Sequence, residues 1–536
     1  MTDNEKYSDL PVVPLGHAGT KTFFYFVRST RQIVTLSPGA HSASNLLAMA
    51  DENEWINTPK ARFSDRGLEW TSIAEYLMAY CRDEGVYDPS FARGRGAWRD
   101  EKDIVFHSGD ILYVNGKAKP FDKYTKTKYR YVAAIKTLHP TKKSATDSDC
   151  KELITTLKTW GWDLSELAPM LVLGWIGCAL VCGAITWRPH MWITGTKGSG
   201  KSTLDNLISQ IMGNLALHIQ GNTTEPGLRQ ALGGDARPIL FDEFEADSRS
   251  ADAVIDAART AASDNSALIA KGSPEGRPNL YRLRFAAMFS GIIANARREA
   301  DRSRIVFLEM RPRERTEEQR KHIGEAFERF GGDFGASLLS RMLDALNGGA
   351  FDHALFALRN AIRLSGGDER KADVFAHLLA ANHVLASNRV ITIVEAQEQA
   401  ALVAALDEGE PSDEEECLSH LMGHRVTVDY GYVGTVGEWI GYLQETAPTG
   451  PTVDVVLAEL ERHGVKVEGG SMKIANATTG IKAVYKGTRW AGGSHWRIMR
   501  RLPDAKPGGK AWFAGEQSRC NDIPLEIVTP GTANDP

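Results

Sequence analysis

At 536 residues the chain exceeds what one hydrophobic core holds, so several domains are expected. A composition of 42% hydrophobic and 24% charged residues is that of a globular protein and excludes a disordered or fibrous one. The net charge of −5 excludes a protein that coats nucleic acid through its overall field, so any such contact must come from a local basic surface. The first residues, Met1 to Lys6, have no basic region leading into an apolar one. The six cysteines (81, 150, 178, 182, 417, 520) form no paired framework, and both features point to the cytoplasm.

Residues 1–145 read as an α+β accessory domain. Thr22–Arg28 and Ile33–Leu36 are strand-like, and Leu68–Glu84 is helical in pattern. Ile104–His107 and Ile111–Val114 alternate around Ser108-Gly109-Asp110, a hairpin signal. Thr141–Ser148 is polar and lysine-bearing, as a linker is. No mechanism is legible in residues 1–150.

Residues 151–314 alternate helical and apolar strand patterns, as an α/β nucleotide-binding domain does. Leu167–Trp187 runs 21 residues without a charge, long enough for a bilayer. Pro169 and three glycines (174, 177, 183) interrupt it, and a strand follows within a few residues, so a buried helix is expected and no membrane span. Cys178 and Cys182, one helical turn apart, are expected in the core.

Residues 191–204 read Met-Trp-Ile-Thr-Gly-Thr-Lys-Gly-Ser-Gly-Lys-Ser-Thr-Leu, which contains the full phosphate-loop pattern G-x-x-x-x-G-K-[ST]. The expected nucleotide-binding residues are Gly195, Thr196, Lys197, Gly198, Ser199, Gly200, Lys201, Ser202 and Thr203. Glycines let backbone N–H groups turn inward around a polyphosphate, Lys201 reaches the β/γ oxygens, and the Ser202 hydroxyl suits Mg²⁺. The helical stretch after the loop presents its positive end to the anion.

Pro238–Glu243 is an apolar strand ending in two carboxylates. Asp242 suits Mg²⁺ and Glu243 suits a water-polarising role; the alternative is an acidic helix start, since Glu245 and Asp247 come next. In Ala270–Pro278 a turn between extended arms exposes Lys271 and Arg277. Residues 271–321 carry 13 Lys/Arg against 7 Asp/Glu, a local basic surface suited to DNA but without marked aromatic interleaving. Ala286–Asn295 is a further apolar strand, ending in an amide that could sense the γ-phosphate or simply form a turn. Asp301-Arg302-Ser303-Arg304 precedes Ile305–Leu308. An arginine there, Arg304 before Arg302, suits a neighbouring subunit's γ-phosphate or is an ordinary solvated charge.

Residues 315–410 look helical, as in Glu317–Arg329 and Val374–Ser387. In 411–505, helical Thr435–Gln444 and Val453–Gly464 precede extended Val465–Val467 and Met472–Ala475, an order compatible with a winged helix. Residues 506–536, rich in Gly, Pro and Asp, read as a flexible tail. Cys417, His420 and His424 have ligand types at helical spacing but no fourth ligand nearby, so packing is expected and not zinc.

The order of these parts resembles the phage- and plasmid-encoded primase–helicase ATPases, close to the superfamily 3 helicases of the AAA+ class, including prophage-borne members described as DNA primase or ATP-binding protein. The resemblance rests on Gly195–Ser202, Asp242-Glu243, the Lys271 hairpin, Asn295 and Asp301–Arg304, with Trp187-Arg188-Pro189-His190 and Gly221-Asn222-Thr223-Thr224-Glu225 adding to it. It implies an α/β fold with a P-loop AAA+-like core and a ring, a homo-hexamer, with ATP between subunits. Lys201, Ser202 and Asp242 would then hold Mg-ATP, Glu243 would activate water, Asn295 would act as sensor, and Arg304 would act in trans. Lys271 would grip single-stranded DNA, and the implied activity is that of a helicase in replication. The chain departs from the family in having no cysteine-rich zinc module and no room upstream for a full primase, which argues against priming. Two other readings stay open: a nucleotide-gated scaffold or defence switch without unwinding, and a phosphotransferase kinase.

Overall fold

The computed structural model describes residues 7–124, 127–244, 249–263, 269–271, 279–291, 303–406, 412–445 and 448–528. The chain divides near residue 405 into two compact units. The first begins with an antiparallel sheet of β1 (Val12–His17), β2 (Phe23–Val27) and β3 (Gln32–Leu36), with helix α1 (Trp70–Glu84) packed on it. Alternation in β2 buries Phe23, Tyr25 and Val27, and α1 adds Ile73, Leu77 and Cys81 to the same core. Next comes a four-stranded antiparallel sheet: β4 (Gly96–Asp100), β5 (Asp103–His107), β6 (Leu112–Val114) and β7 (Lys117–Lys119). The β5–β6 connection is the hairpin read from the sequence, with His107 opposite Leu112. Gly109 turns it at φ +105, where a Cβ would lie 2.5 Å from the Ile135 carbonyl oxygen.

This N-terminal region is fastened to the remainder of the unit. Arg95 holds Asp235 through Nε and Nη2 at 2.9 and 2.6 Å, and Gly96 bridges to Ala236. Thr141–Ser148, expected as a linker, is docked: the Ala145 N–H donates to Ser337 O and Ser144 Oγ to Asp344. Thr146 then caps α2 (Asp147–Leu157).

The centre of the unit is a six-stranded sheet. Its strands are β8 (Gly161–Trp162), β9 (His190–Gly195), β10 (Leu217–Gln220) and β11 (Ile239–Asp242). A separate antiparallel pair, β12 (Ile269–Lys271) and β13 (Asn279–Tyr281), precedes β14 (Ala287–Gly291) and β15 (Ile305–Arg311). The spatial order is β8-β15-β9-β14-β11-β10, parallel except for the β8 edge. Strands covered on both faces need unbroken apolar runs, which Met191-Trp192-Ile193 and Ile239-Leu240-Phe241 supply. The fully buried Trp192 ring packs on Phe289, Phe244 and Phe307 at 5.2, 5.5 and 5.8 Å between centroids.

Between the strands run α3 (Leu167–Leu180), α4 (Lys201–Met212), α5 (Glu225–Leu232) and α6 (Arg249–Ala261). After β15 come α7 (Glu317–Arg329), α8 (Gly332–Asn347), α9 (Ala350–Leu364), α10 (Glu369–Ala386) and α11 (Ile393–Ala404). The charge-free α3 is buried along its length because α10 covers it: a Cβ on Gly174 would lie 2.0 Å from Leu378 O. Cys178 and Cys182 are fully buried. Among the described residues no helix is long and apolar enough to cross a membrane, and no group of His, Cys, Asp and Glu is placed to hold a metal ion.

The second unit holds α12 (Asp413–Met422), the pair β16 (Arg425–Val428) and β17 (Tyr432–Thr435), then α13 (Val436–Gln444) and α14 (Val453–Arg462). Its sheet, in order β18-β19-β21-β20, is made of β18 (Val465–Glu468), β19 (Ser471–Ala475), β20 (Lys506–Phe513) and β21 (Glu516–Pro524). The last two strands correct the expectation of a flexible tail from residue 506. Phe513, Cys520 and Ile523 are buried in the unit's core, and Ala514-Gly515 turns the hairpin with both φ angles positive, at 43° and 90°. Cys417 is buried with its thiol against Tyr485, and His420 Nε2 lies 3.0 Å from Val484 O.

Candidate nucleotide site

β9 ends at Gly195, the loop 196–200 turns, and α4 starts at Lys201. Only glycine fits three of these positions. Gly198 and Gly200 both sit at φ +87, and a Cβ on Gly195 would meet Met310 O at 2.6 Å and Ser199 Oγ at 2.7 Å. Gly200 caps α4 without a side chain, so the first-turn N–H groups at the positive end of the helix are left for an anion. The loop lies at the carboxyl edge of the parallel strands. There the connection from β9 runs to β10 at one edge while that from the adjacent β14 runs back to β15 on the other side of β9, the usual place for a ligand in such sheets.

Lys201, Asp205, Ser290 and Asp242 lie together at this edge. Lys201 Nζ donates to Gly291 O at 2.8 Å and to Gly195 O at 3.3 Å, spanning the ends of β14 and β9. One turn further along α4, Asp205 accepts from Ser290 Oγ at 2.6 Å, while its Oδ1 is sealed from solvent without a partner. Burial pushes the Asp205 carboxyl up to about 6; the neighbouring Asp242 charge adds to the rise, and Ser290 and Lys201 oppose it. Asp242 ends β11 as an exposed carboxylate, and Glu243 comes after it, exposed at φ +50. This left-handed corner is held by Phe244 N–H donating to Ser290 O at 2.8 Å and Gly221 N–H donating to Asp242 O at 2.9 Å. Asp242 therefore finishes a strand, and Glu243 follows it at the corner.

The remaining expected residues lie elsewhere. Arg304 immediately precedes β15, whose first residue, Ile305, pairs with His190 at the start of β9, while Gly195 pairs with Met310. Over these six residues the separation is about 17 Å, at roughly 3.3 Å per residue. Arg304 thus stands at the edge of the sheet opposite its own phosphate loop. Its charge joins burial and Arg188 in pushing the neighbouring His190 down to about 3. Lys271 closes β12, opposite Asn279 of β13, so the expected extended arms are present. Arg277 and Asn295 lie outside the described residues.

Trp160 and Arg315 belong to the site without any signal in the motif. Trp160 Nε1 donates to Gly200 O at 3.0 Å, and the Arg315 guanidinium lies 5.2 Å over the Trp160 ring. A Cβ on Gly200 would be 2.6 Å from Arg315 Nη2, so the loop carries a cation at its entrance. Asp205 had a usable signal, four residues after Lys201 and so on the same helix face.

No family model and no curated protein matches the chain. Among solved structures it is similar to the apo structure of the NrS-1 C-terminal region (305–718), at 13% identity over 96% of each chain with a TM-score of 0.33. Two A-form apo structures of the same region give 11% and 12% identity, TM-scores of 0.34 and 0.35, and the same 96% coverage of both chains.

Proposed function

We propose that the chain is an ATP-hydrolysing P-loop enzyme of the AAA+ type, working as a ring-shaped motor on single-stranded DNA in the replication of a phage or other mobile element. The observation that carries the reading is a helix N-terminus that no side chain caps, with Lys201 reaching the end of β14 and Asp242 ending the adjacent β11 at the carboxyl edge of a parallel sheet. In this reading the loop 195–203 cradles the triphosphate and Lys201 leaves its two carbonyls for the β/γ oxygens. Ser202 and Asp242 would hold Mg²⁺, which neutralises charge on the transferring phosphoryl group. The exposed Glu243 carboxylate orients the attacking water and accepts its proton.

The reading takes Arg304 as acting on another copy's site, because the β9–β15 register puts it at the edge of the sheet away from its own phosphate loop. In the same reading Asn295 senses the γ-phosphate, and Lys271, at the end of β12, and Arg277 grip DNA. The test is the steady-state hydrolysis rate with and without a single-stranded oligonucleotide, read together with particle size. Turnover that rises with DNA is expected. Glu243→Gln should lower it by about 10²- to 10⁴-fold while nucleotide binding persists, and Lys201→Ala should lose binding. A DNA-indifferent rate from a stable ATP-dependent assembly would sink the motor and leave the nucleotide-gated scaffold.

A further inference from the structure

The aromatic interleaving missing from residues 271–321 occurs elsewhere in the chain. Between Lys117 and Lys136 there are seven Lys/Arg against a single Asp, in a chain whose net charge is −5, and Phe121, Tyr124, Tyr129 and Tyr131 are spaced among them. The fold adds two arginines from the β2–β3 turn, giving a groove lined by Arg28, Arg31, Arg130, Phe121, Tyr124 and Tyr129. Burial and the nearby Arg130 charge together lower the Arg28 pKa, so the groove brings two like charges close.

The rings are held in place before any ligand arrives. Arg31 lies 5.1 Å over Phe121, Lys119 lies 5.6 Å over Tyr124, and Lys128 lies 5.3 Å over Tyr129. The Tyr124 hydroxyl donates to Asp103 at 3.1 Å. Phe121 and Tyr131 are buried and belong to the core, whereas Tyr124 and Tyr129 are half-buried and Lys117, Lys123 and Lys128 are exposed. The free volume is about 90 Å³, well below the roughly 300–1,000 Å³ of pockets that enclose a small molecule. Its occupant therefore lies along the groove. An acidic peptide would use the charges but has no flat faces for the rings; unpaired bases have both.

We propose that this groove binds single-stranded nucleic acid, with the phosphates on the arginines and lysines and the bases against Tyr124 and Tyr129. It lies outside the nucleotide site, and its binding needs no ATP. The experiment uses the full chain without nucleotide and a labelled oligothymidylate, reading anisotropy across 50–200 mM salt. Lys123→Gln with Lys128→Gln, both at exposed positions, should weaken binding about tenfold near 0.1 M salt and flatten the log–log salt slope by about 1.4, the value for two lost contacts on a single strand. Tyr124→Ala should cost about 5- to 100-fold in affinity. Thermal melting and the hydrolysis rate without DNA should stay as in the parent for the lysine pair.

Unchanged affinity and slope in the lysine pair would overturn the proposal, as would a duplex competing as well as a single strand. Lys271→Ala separates this site from the motor: it should keep nucleotide-free binding and lose only DNA-stimulated hydrolysis. Groove binding without any hydrolysis would sink the ATPase reading alone, and stimulated hydrolysis with an inert groove would sink this one alone.

Discussion

Glu243 is the residue where local conformation and chemistry pull apart. A side chain at φ +50 costs about 1 kcal/mol relative to glycine, and residues held this way gather at functional sites. Glu243→Gly should therefore raise the denaturation midpoint, by about 1 kcal/mol in stability, while removing hydrolysis; a less stable variant would show that the corner is not strained. Asp205 makes a second, pH-dependent prediction. Its ordinary value is 3.8 and the fold raises it to about 6. Between these two values the folded chain holds a proton that the unfolded chain has released, so stability falls as pH rises through the window and stays lower above it. The loss is about 3 kcal/mol at most. Asp205→Asn should abolish that fall when urea midpoints at pH 4.5 and pH 8 are compared in the nucleotide-free protein; a slope that persists assigns it to another group. The glycine-rich turn before Lys201 and the apolar strand ending at Asp242 were legible in the sequence because both patterns are local. Trp160 and Arg315 were not, because only the pairing of β8 with β15 brings their segments beside the loop.

At the level of elements, the apolar run of α3 shows what periodicity reads and what it leaves out. The absence of charge over Leu167–Trp187 told of full burial, but not of the partner, which is a helix 200 residues further along the chain. Gly174 makes that contact possible, and Gly174→Ala forces a Cβ to within 2.0 Å of the Leu378 carbonyl oxygen. A destabilisation of about 1–3 kcal/mol is expected by thermal or urea denaturation. An unchanged midpoint would mean that α10 can withdraw freely. The hairpin at Ser108-Gly109-Asp110 was legible because turn chemistry is local. The β20–β21 hairpin was missed for the converse reason: Gly508, Gly509 and Gly515 read as disorder until a strand partner is known. Here Gly508 fits because its Cβ would meet the Cys520 sulfur at 2.5 Å.

For the whole molecule, the sheet order separates Arg304 from Gly195 along the length of β9, so the two can share a phosphate only between copies. Mixing inactive Lys201→Ala with inactive Arg304→Ala protein should restore hydrolysis, since in an equal mixture roughly a quarter of head-to-tail interfaces join an intact loop to an intact arginine. A mixture as inactive as its parts would place Arg304 outside the reaction. The acidic run Asp407–Glu416, just past the division near residue 405, is visible in the sequence. The docking of the N-terminal region through Arg95 and Asp235 was not, because an ion pair 140 residues apart leaves no mark on composition.

Lys201 carries a consequence of its own. Its ammonium is already engaged with the last carbonyls of β9 and β14, so in the proposed function an arriving triphosphate would compete with the fold for that cation. In the proposed function, binding would remove the Lys201 contact from Gly291 and leave its pairing with Thr194 in place. Release would restore that contact, making the empty state the one in which the ammonium bridges the two strand ends.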